Sequence, residues 1–410
     1  MVTNPLQCEF AGLKLDNPFL LASAPPTRDS AMLDRAFQAG WAGAVIKTIP
    51  SDAMMQRGLT QEPRPLLAHF KRGAQRIGMG NLSITGQWGL VDWAAALPAL
   101  KARHPSKMVL GSFGAEVVRE TWQTMARALV AAGVDGIELA LSCTHATLGR
   151  EVPLIVGEDP ELAAQVVGWV TEVVPPTIPV IPKLPASVRD WRGVLEACCE
   201  AGAAGVTTIN TLSSLMGVDL DTMQPLPNVQ GVGTYCGYSG PGIKPIALAA
   251  VSRVHKVGLL PVSATGGISN WQDAAEFILL GACCVQVCSA VMWSGYGIID
   301  KMLAGLTGYL QEKGGASVQS LVGRANDRVI DSVFRLEPDF SLVARITDRC
   351  TNCGRCVIAC QDGAHQAIRP AATPEGAPHV DLEACVGCAL CAQVCPVDAI
   401  EFGPRARWLA

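Results

Sequence analysis

Cysteine spacing near the end of the chain constrains its fold more than any other feature. Eight cysteines fall in the last 61 residues as two copies of one pattern: Cys350-x2-Cys353-x2-Cys356-x3-Cys360, then 24 residues, then Cys385-x2-Cys388-x2-Cys391-x3-Cys395-Pro396. This is the spacing of a two-cluster ferredoxin, in which three thiolates on one tight loop and a fourth from the other motif close on each iron-sulfur cubane. By that rule Cys350, Cys353, Cys356 and Cys395 hold one 4Fe-4S cluster, and Cys385, Cys388, Cys391 and Cys360 hold the other. Gly354 and Gly387 leave room for backbone N–H groups to approach the sulfides, and Gln361 stands where the second copy has Pro396. Zinc is the alternative, but it usually takes two well-separated CxxC pairs.

The other half of the sixteen cysteines are scattered through a different kind of sequence. With 410 residues, 49% hydrophobic and 17% charged, the chain is long enough for one large core plus a small appended domain. A formal net charge of -4, from 32 Lys+Arg against 36 Asp+Glu, with no basic block, argues against nucleic acid and against an anionic membrane surface. The first 30 residues lack a basic start followed by a long apolar run, so no signal peptide is read. That places the cysteines in a reducing, cytoplasmic compartment as thiols or metal ligands. The most apolar stretch, residues 277–293, is interrupted by Gln286 and reads as a buried helix end and strand.

Residues 1–313 alternate short Val/Ile/Ala runs with amphipathic stretches of helical length. Eight strands are expected, at 19–22, 44–47, 108–111, 136–140, 179–183, 205–209, 261–265 and 284–287. Helices are expected at 30–39, 116–132, 160–173, 191–201, 245–257 and 271–280. Eight β-α units in this length predict an α/β fold of (β/α)8 type. A doubly wound sheet would carry a glycine-rich loop after its first strand, whereas Ala22-Ser23-Ala24-Pro25-Pro26 has no glycine. Residues 314–342 read as a linker and 343–410 as the ferredoxin-like domain. Two long insertions, 49–90 and 212–244, follow strands two and six, where a barrel places its catalytic face.

The expected strand ends present Ala22-Ser23, Lys47-Thr48, Gly111-Ser112, Ser142-Cys143, Lys183, Asn210-Thr211, Gly266-Gly267 and Cys288-Ser289. Two lysines bracketing one mouth are unusual. The turns after strands seven and eight lie where barrels commonly bind phosphate. A phosphate-bearing group, two lysines and a pair of electron-transfer clusters point to FMN, which exchanges single electrons with iron-sulfur centres and hydride with organic substrates. Lys183 suits the N1–C2=O edge of the ring and Lys47 its other side. Reduction of a polarised C=C bond also needs a proton donor, and the Cys143 thiol, opening a loop at a strand end, is protonated near pH 7. Cys198, Cys199, Cys283 and Cys284 read as packing residues.

The runs Ser142-Cys143-Thr144-His145, Gly157-Glu158-Asp159-Pro160-Glu161-Leu162, Pro182-Lys183-Leu184, Ile209-Asn210-Thr211, Leu215-Met216-Gly217, Tyr238-Ser239-Gly240, Lys244-Pro245-Ile246-Ala247-Leu248 and Gln286-Val287-Cys288-Ser289-Ala290 together resemble dihydropyrimidine dehydrogenase. The likeness covers essentially the whole chain, as in the bacterial catalytic subunit of that enzyme, and the barrel more distantly resembles dihydroorotate dehydrogenase. The resemblance implies FMN contacts at Ala22, Ser23, Lys47, Asn81, Lys183, Asn210, Gly266, Gly267, Cys288 and Ser289, with Cys143 as proton donor on a loop over the flavin. It implies substrate contacts at Asn81, Asn210 and Thr211, and at the positions held here by Ser83 and Ala140. At those two the family's glutamate and asparagine are replaced, and Thr144 replaces its proline after the cysteine. Loss of an amide and a carboxylate implies a substrate that is not simply uracil.

No G-x-G-x-x-G follows a strand, so electrons are expected to enter through the cysteine-rich tail from a separate NAD(P)H-oxidising flavoprotein subunit or a ferredoxin, within a homo- or hetero-oligomer. Two other readings stand beside the reductase: dihydroorotate dehydrogenase-like oxidation of a CH–CH bond with Cys143 as base, and a non-catalytic electron-transfer subunit.

Overall fold

The computed structural model describes residues 4–56, 64–83, 85–142, 155–337, 339, 341–373 and 376–409. The chain divides into two compact units, Met1–Val329 and Ile330–Ala410.

The first unit is built on eight parallel strands: β1 (Phe19–Leu21), β2 (Gly43–Val45), β3 (Met108–Gly114), β4 (Gly136–Ala140), β5 (Val180–Leu184), β6 (Val206–Thr208), β7 (Val262–Thr265) and β8 (Ala282–Val287). Each pairs with the next, and β8 returns to β1 through Val287 opposite Leu21, closing a (β/α)8 barrel. All seven residues of β3 and all five of β5 are buried, so these strands do not alternate apolar with polar, and their polar members Ser112 and Lys183 lie toward the carboxyl ends. β3 runs three residues past the expected end because Ile49–Pro50 pairs alongside Phe113 and Gly114.

Helices α1 (Ser30–Ala39), α2 (Leu90–Arg103), α3 (Arg119–Ala132), α4 (Pro160–Thr171), α5 (Trp191–Glu200), α6 (Lys244–Val257), α7 (Trp271–Leu279) and α8 (Ile298–Glu312) follow the strands in turn. Their starts are written in the sequence. Asp29, Asp159, Asp190 and Asn270 each accept a backbone N–H of the first turn, and Pro160 takes the first position of α4, where no amide is needed. The core includes three fully buried tryptophans, Trp41, Trp93 and Trp122.

The two long insertions are not independent loops. Strands Leu212–Ser214 and Cys236–Ser239 from the second join Gln75–Asn81 and Leu67–Arg72 from the first in one antiparallel sheet, in that order. Residues 315–329, expected as linker, are also part of the barrel unit. Val318 donates to the Pro5 carbonyl at 2.8 Å, Gly323 and Ala325 donate to Ile278 and Leu279, and the Asn326 amide bonds to Ser252, so this backbone is satisfied by the barrel.

In the second unit Leu342–Ile346 pairs antiparallel with Ile400–Pro404, and the helices Arg355–Gly363 and Leu390–Gln393 follow the two cysteine loops. Its core is small: Ala344, Cys356, Val357, Cys360, Ala367, Ile368, Val380 and Cys391. Among the described residues, no helix is long and apolar enough to cross a membrane.

Candidate active site and cluster cavities

At the carboxyl ends of the barrel strands, polar residues from distant parts of the chain meet. Lys47, just past β2, and Lys183, on β5, are only 6% and 7% exposed. Both reach the neighbourhood of Cys288: burial pushes its thiol up to about 11, and the charges of Lys183 and Lys47 pull the other way. Ala22 is locked to β8 by its amide on the Val287 carbonyl at 3.0 Å. Ser23 accepts the Thr48 amide at 2.9 Å, its hydroxyl lies 3.0 Å from that of Thr48, and Thr48 in turn lies 3.4 Å from Ser112, a hydroxyl chain across the ends of β1, β2 and β3.

The inserted sheet supplies a second group. Asn81 Nδ2 donates to the Gly237 carbonyl at 2.7 Å. A Cβ built on Gly237 would lie 2.4 Å from Thr211 Oγ1 and 3.1 Å from Asn81 Nδ2, so these two side chains converge on one stretch of bare backbone. Asn210 Nδ2 donates to Ser142 Oγ, tying the end of β6 to the end of β4. Ala140 stands opposite Lys183 in the ladder, 3.6 Å from where a Cβ of Gly114 would be. Ser83 is half-buried after the Gln75–Asn81 strand. Cys143 and Thr144 lie outside the described residues.

The turns after β7 and β8 are shaped for close approach. Gly267 has φ +85°, and a Cβ there would sit 2.8 Å from the backbone nitrogen of Lys244 at the start of α6, so only glycine fits. Ser289 is buried, and its hydroxyl donates to Ser239 of the inserted sheet at 3.1 Å. Two buried cationic side chains, bare backbone at Gly266-Gly267 and a wall of hydroxyls and amides form a donor set that fits a phosphorylated, electron-accepting ring such as FMN.

Below this mouth sequence reasoning missed a buried polar group. Glu138 on β4 is fully buried, with Oε1 3.2 Å from Lys183 Nζ and Oε2 accepting from Thr207 Oγ1 at 2.8 Å and Gln286 Nε2 at 2.7 Å. One signal was available: a charge in the middle of the otherwise apolar Gly-Ile-Glu-Leu-Ala strand.

In the second unit two small cavities each gather four cysteines. Cys350, Cys353, Cys356 and Cys395 line one, and Cys360, Cys385, Cys388 and Cys391 line another. Backbone amides already point at sulfur: Asn352 N to Cys350 Sγ at 3.4 Å, Ala344 N to Cys385 Sγ at 3.4 Å and Ala399 N to Cys395 Sγ at 3.2 Å. Such donors favour thiolate over thiol. Gly387 has φ +67°, and a Cβ would meet the Leu342 carbonyl oxygen at 2.4 Å, so this loop closes only with glycine. Burial raises the Cys391 thiol to about 11 and raises Cys356 as well, so binding a cluster there must expel protons. The four-sulfur lining of each cavity and the aimed amides fit a cubane.

A closed parallel barrel followed by a dicluster domain defines the class: an oxidoreductase acting on CH–CH bonds, with a 4Fe-4S domain in the same chain. The chain belongs to the dihydroorotate dehydrogenase family, which matches residues 5–310, and its end matches the 4Fe-4S dicluster domain at residues 344–402. It is 36% identical over 408 residues to the NAD-dependent dihydropyrimidine dehydrogenase subunit PreA of Escherichia coli (strain K12), covering 98% of this chain and 96% of that one. It is 31% identical over 326 residues to the chloroplastic dihydropyrimidine dehydrogenase (NADP(+)) of Arabidopsis thaliana, covering 77% and 75%. Against the dihydroorotate dehydrogenase B (NAD(+)) catalytic subunit of Pyrococcus horikoshii it is 33% identical over 328 residues, covering 79% of this chain and 99% of that subunit. Two of these relatives are named as subunits. The dicluster match removes the zinc alternative for the cysteine-rich tail.

Proposed function

We propose that this protein reduces an activated C=C bond in a cyclic amide or carbonyl-conjugated substrate, with electrons delivered through two 4Fe-4S clusters to FMN. FMN when bound supplies two electrons as hydride from N5 to one alkene carbon. Cys143 Sγ gives its proton to the neighbouring carbon, and the thiolate left behind is reprotonated from solvent. Lys183 and Lys47 hold and polarise the ring, and Gly266, Gly267, Cys288 and Ser289 take the phosphate end, with Ala22 and Ser23 beside it. Asn81, Asn210 and Thr211 bind the carbonyl-bearing edge of the substrate. The cluster ligands are Cys350, Cys353, Cys356 and Cys395, and Cys385, Cys388, Cys391 and Cys360. The donor of electrons is a separate NAD(P)H-oxidising flavoprotein subunit or a ferredoxin in the cytoplasm, and the working enzyme is an oligomer.

The observation that carries this reading is the burial of two lysines, Lys47 and Lys183, at the carboxyl ends of the barrel strands, together with the meeting of Asn81 and Thr211 over Gly237. The substrate differs from uracil because Ala140 and Ser83 offer neither the amide nor the carboxylate expected at those positions, so the polar groups of uracil that those side chains would pair are left unpaired on binding.

Anaerobic reduction of the purified protein, followed by addition of cyclic ene-carbonyl compounds, should reoxidise the flavin absorption band. A protein with no flavin band at all would end the proposal. Cys143→Ala should lower turnover by about 10²–10⁴-fold while reduction of the flavin through the clusters survives. Uracil or thymine turned over with micromolar Michaelis constants would show the altered-substrate part to be wrong.

A further inference from the structure

The polar belt beneath the barrel mouth has no part in the chemistry just described. Glu138 lies two residues before Ala140 on β4, one layer deeper than Lys183, and its carboxylate is held from three directions. Thr207 on β6 and Gln286 on β8 donate to Oε2, and the same Gln286 Nε2 lies 3.1 Å from Ser263 Oγ on β7. Lys183 Nζ engages Oε1, at 3.2 Å. A carboxylate with no exposed surface is costly unless it is paired and hydrogen-bonded, and an apolar replacement of such a pair is often no less stable. Stability is therefore a weak reason for this arrangement. Its effect is to fix one anion at one distance from the lysine at the mouth.

We infer that Glu138 is a positioning residue, the fixed counter-anion of Lys183, which orients the ammonium and sets how much of its positive charge is felt by the redox cofactor at the barrel mouth. This rests on the FMN reading above. The belt on Oε2 matters because each donor there draws charge away from Oε1. Loosening the belt leaves more negative charge against Lys183, and removing the carboxylate leaves Lys183 unopposed. Positive charge beside the ring favours its reduced form, so the two changes act with opposite sign.

The test uses the full chain with FMN bound and measures the dissociation constants of oxidised and reduced FMN. Glu138→Gln keeps the side-chain shape and should strengthen binding of the reduced form relative to the oxidised by about tenfold, equivalent to ~30 mV for a two-electron couple. Thr207→Val removes one donor from Oε2 and should move the ratio the other way by a smaller factor. Glu138→Asp restores the charge and should bring the ratio back toward wild type. A residue that only braces the barrel would change the melting temperature and leave these ratios alone. Unchanged ratios in Glu138→Gln and Thr207→Val would overturn the inference while leaving the FMN reading intact. If Glu138→Gln does not fold, a Thr207→Val ratio that is unmoved or moves the same way as removal of charge overturns it. Wild-type protein that binds no FMN overturns both.

Discussion

The two units bury their interiors in opposite ways. In the barrel unit the core is aliphatic and aromatic, drawn from every strand and anchored by Trp41, Trp93 and Trp122, and the candidate site is a polar exception at the strand ends. In the unit from Ile330 to Ala410 the core cluster among the described residues has eight members, and three of them, Cys356, Cys360 and Cys391, are themselves expected ligands. A domain this small rarely stabilises itself by apolar burial alone. In the barrel the candidate site and the hydrophobic core are separate sets of residues, whereas in the tail Cys356, Cys360 and Cys391 belong to both.

That contrast is open to a direct attack. Removing iron with a chelator should unfold the tail and leave the barrel's circular dichroism and cooperative melt in place; a barrel that melted along with the tail would break the distinction. Cys395→Ala should be more selective. It lines the cavity of Cys350, Cys353 and Cys356, so iron content should fall by about half and the electron paramagnetic resonance of the other cluster should persist. Loss of the cluster nearest its own motif, among Cys385, Cys388 and Cys391, would reverse the crossed assignment.

Within the barrel the expected effects are smaller. Gly267→Ala places a Cβ 2.8 Å from the Lys244 backbone at a φ of +85°, and should cost about 1–3 kcal/mol and lower the barrel's melting temperature by several degrees. At neutral pH the smallest effect comes from the thiols, which matter only in alkali. Burial pushes Cys8 and Cys198 up to about 12 and Cys288 to about 11, against an ordinary value of 9.0. Unfolded chains therefore lose these protons first, so the thiols' contribution is fully present below about pH 9 and is lost as pH rises through about 11 to 12. Thermal melts of the barrel across that range should show falling stability, and Cys8→Ala with Cys198→Ala should flatten the slope.

Much of this architecture was legible because its signals are local. The strand and helix boundaries mostly fell within a few residues, since continuous apolar runs mark strands buried on both faces and Asp29, Asp159, Asp190 and Asn270 mark helix starts. The cysteine spacing was equally local. Three things were not legible. The insertions at 49–90 and 212–244 pair with each other, a contact between Asn81 and Gly237 that no turn signal announces. Residues 315–329 look like linker until their amides find the carbonyls of Pro5, Ile278 and Leu279. Glu138 gains its meaning only from Lys183, Thr207 and Gln286, which lie 45, 69 and 148 residues further along the chain.

Sequence by itself determined the barrel, the dicluster module and the family, because periodicity, capping and ligand spacing are properties of neighbouring residues. Strand-end positions also suggested that Lys47, Lys183 and Cys288 share a mouth, but only the tertiary structure decided which side chains from the insertions and the barrel interior join them. Closing eight strands into a ring brings Lys47, Lys183 and Cys288 to one mouth, and the pairing of two insertions brings Asn81 and Thr211 to another part of it. Beneath that mouth, the same closure turns an isolated glutamate into the partner of a lysine, since a buried charge takes its role from whatever the fold sets within hydrogen-bonding distance.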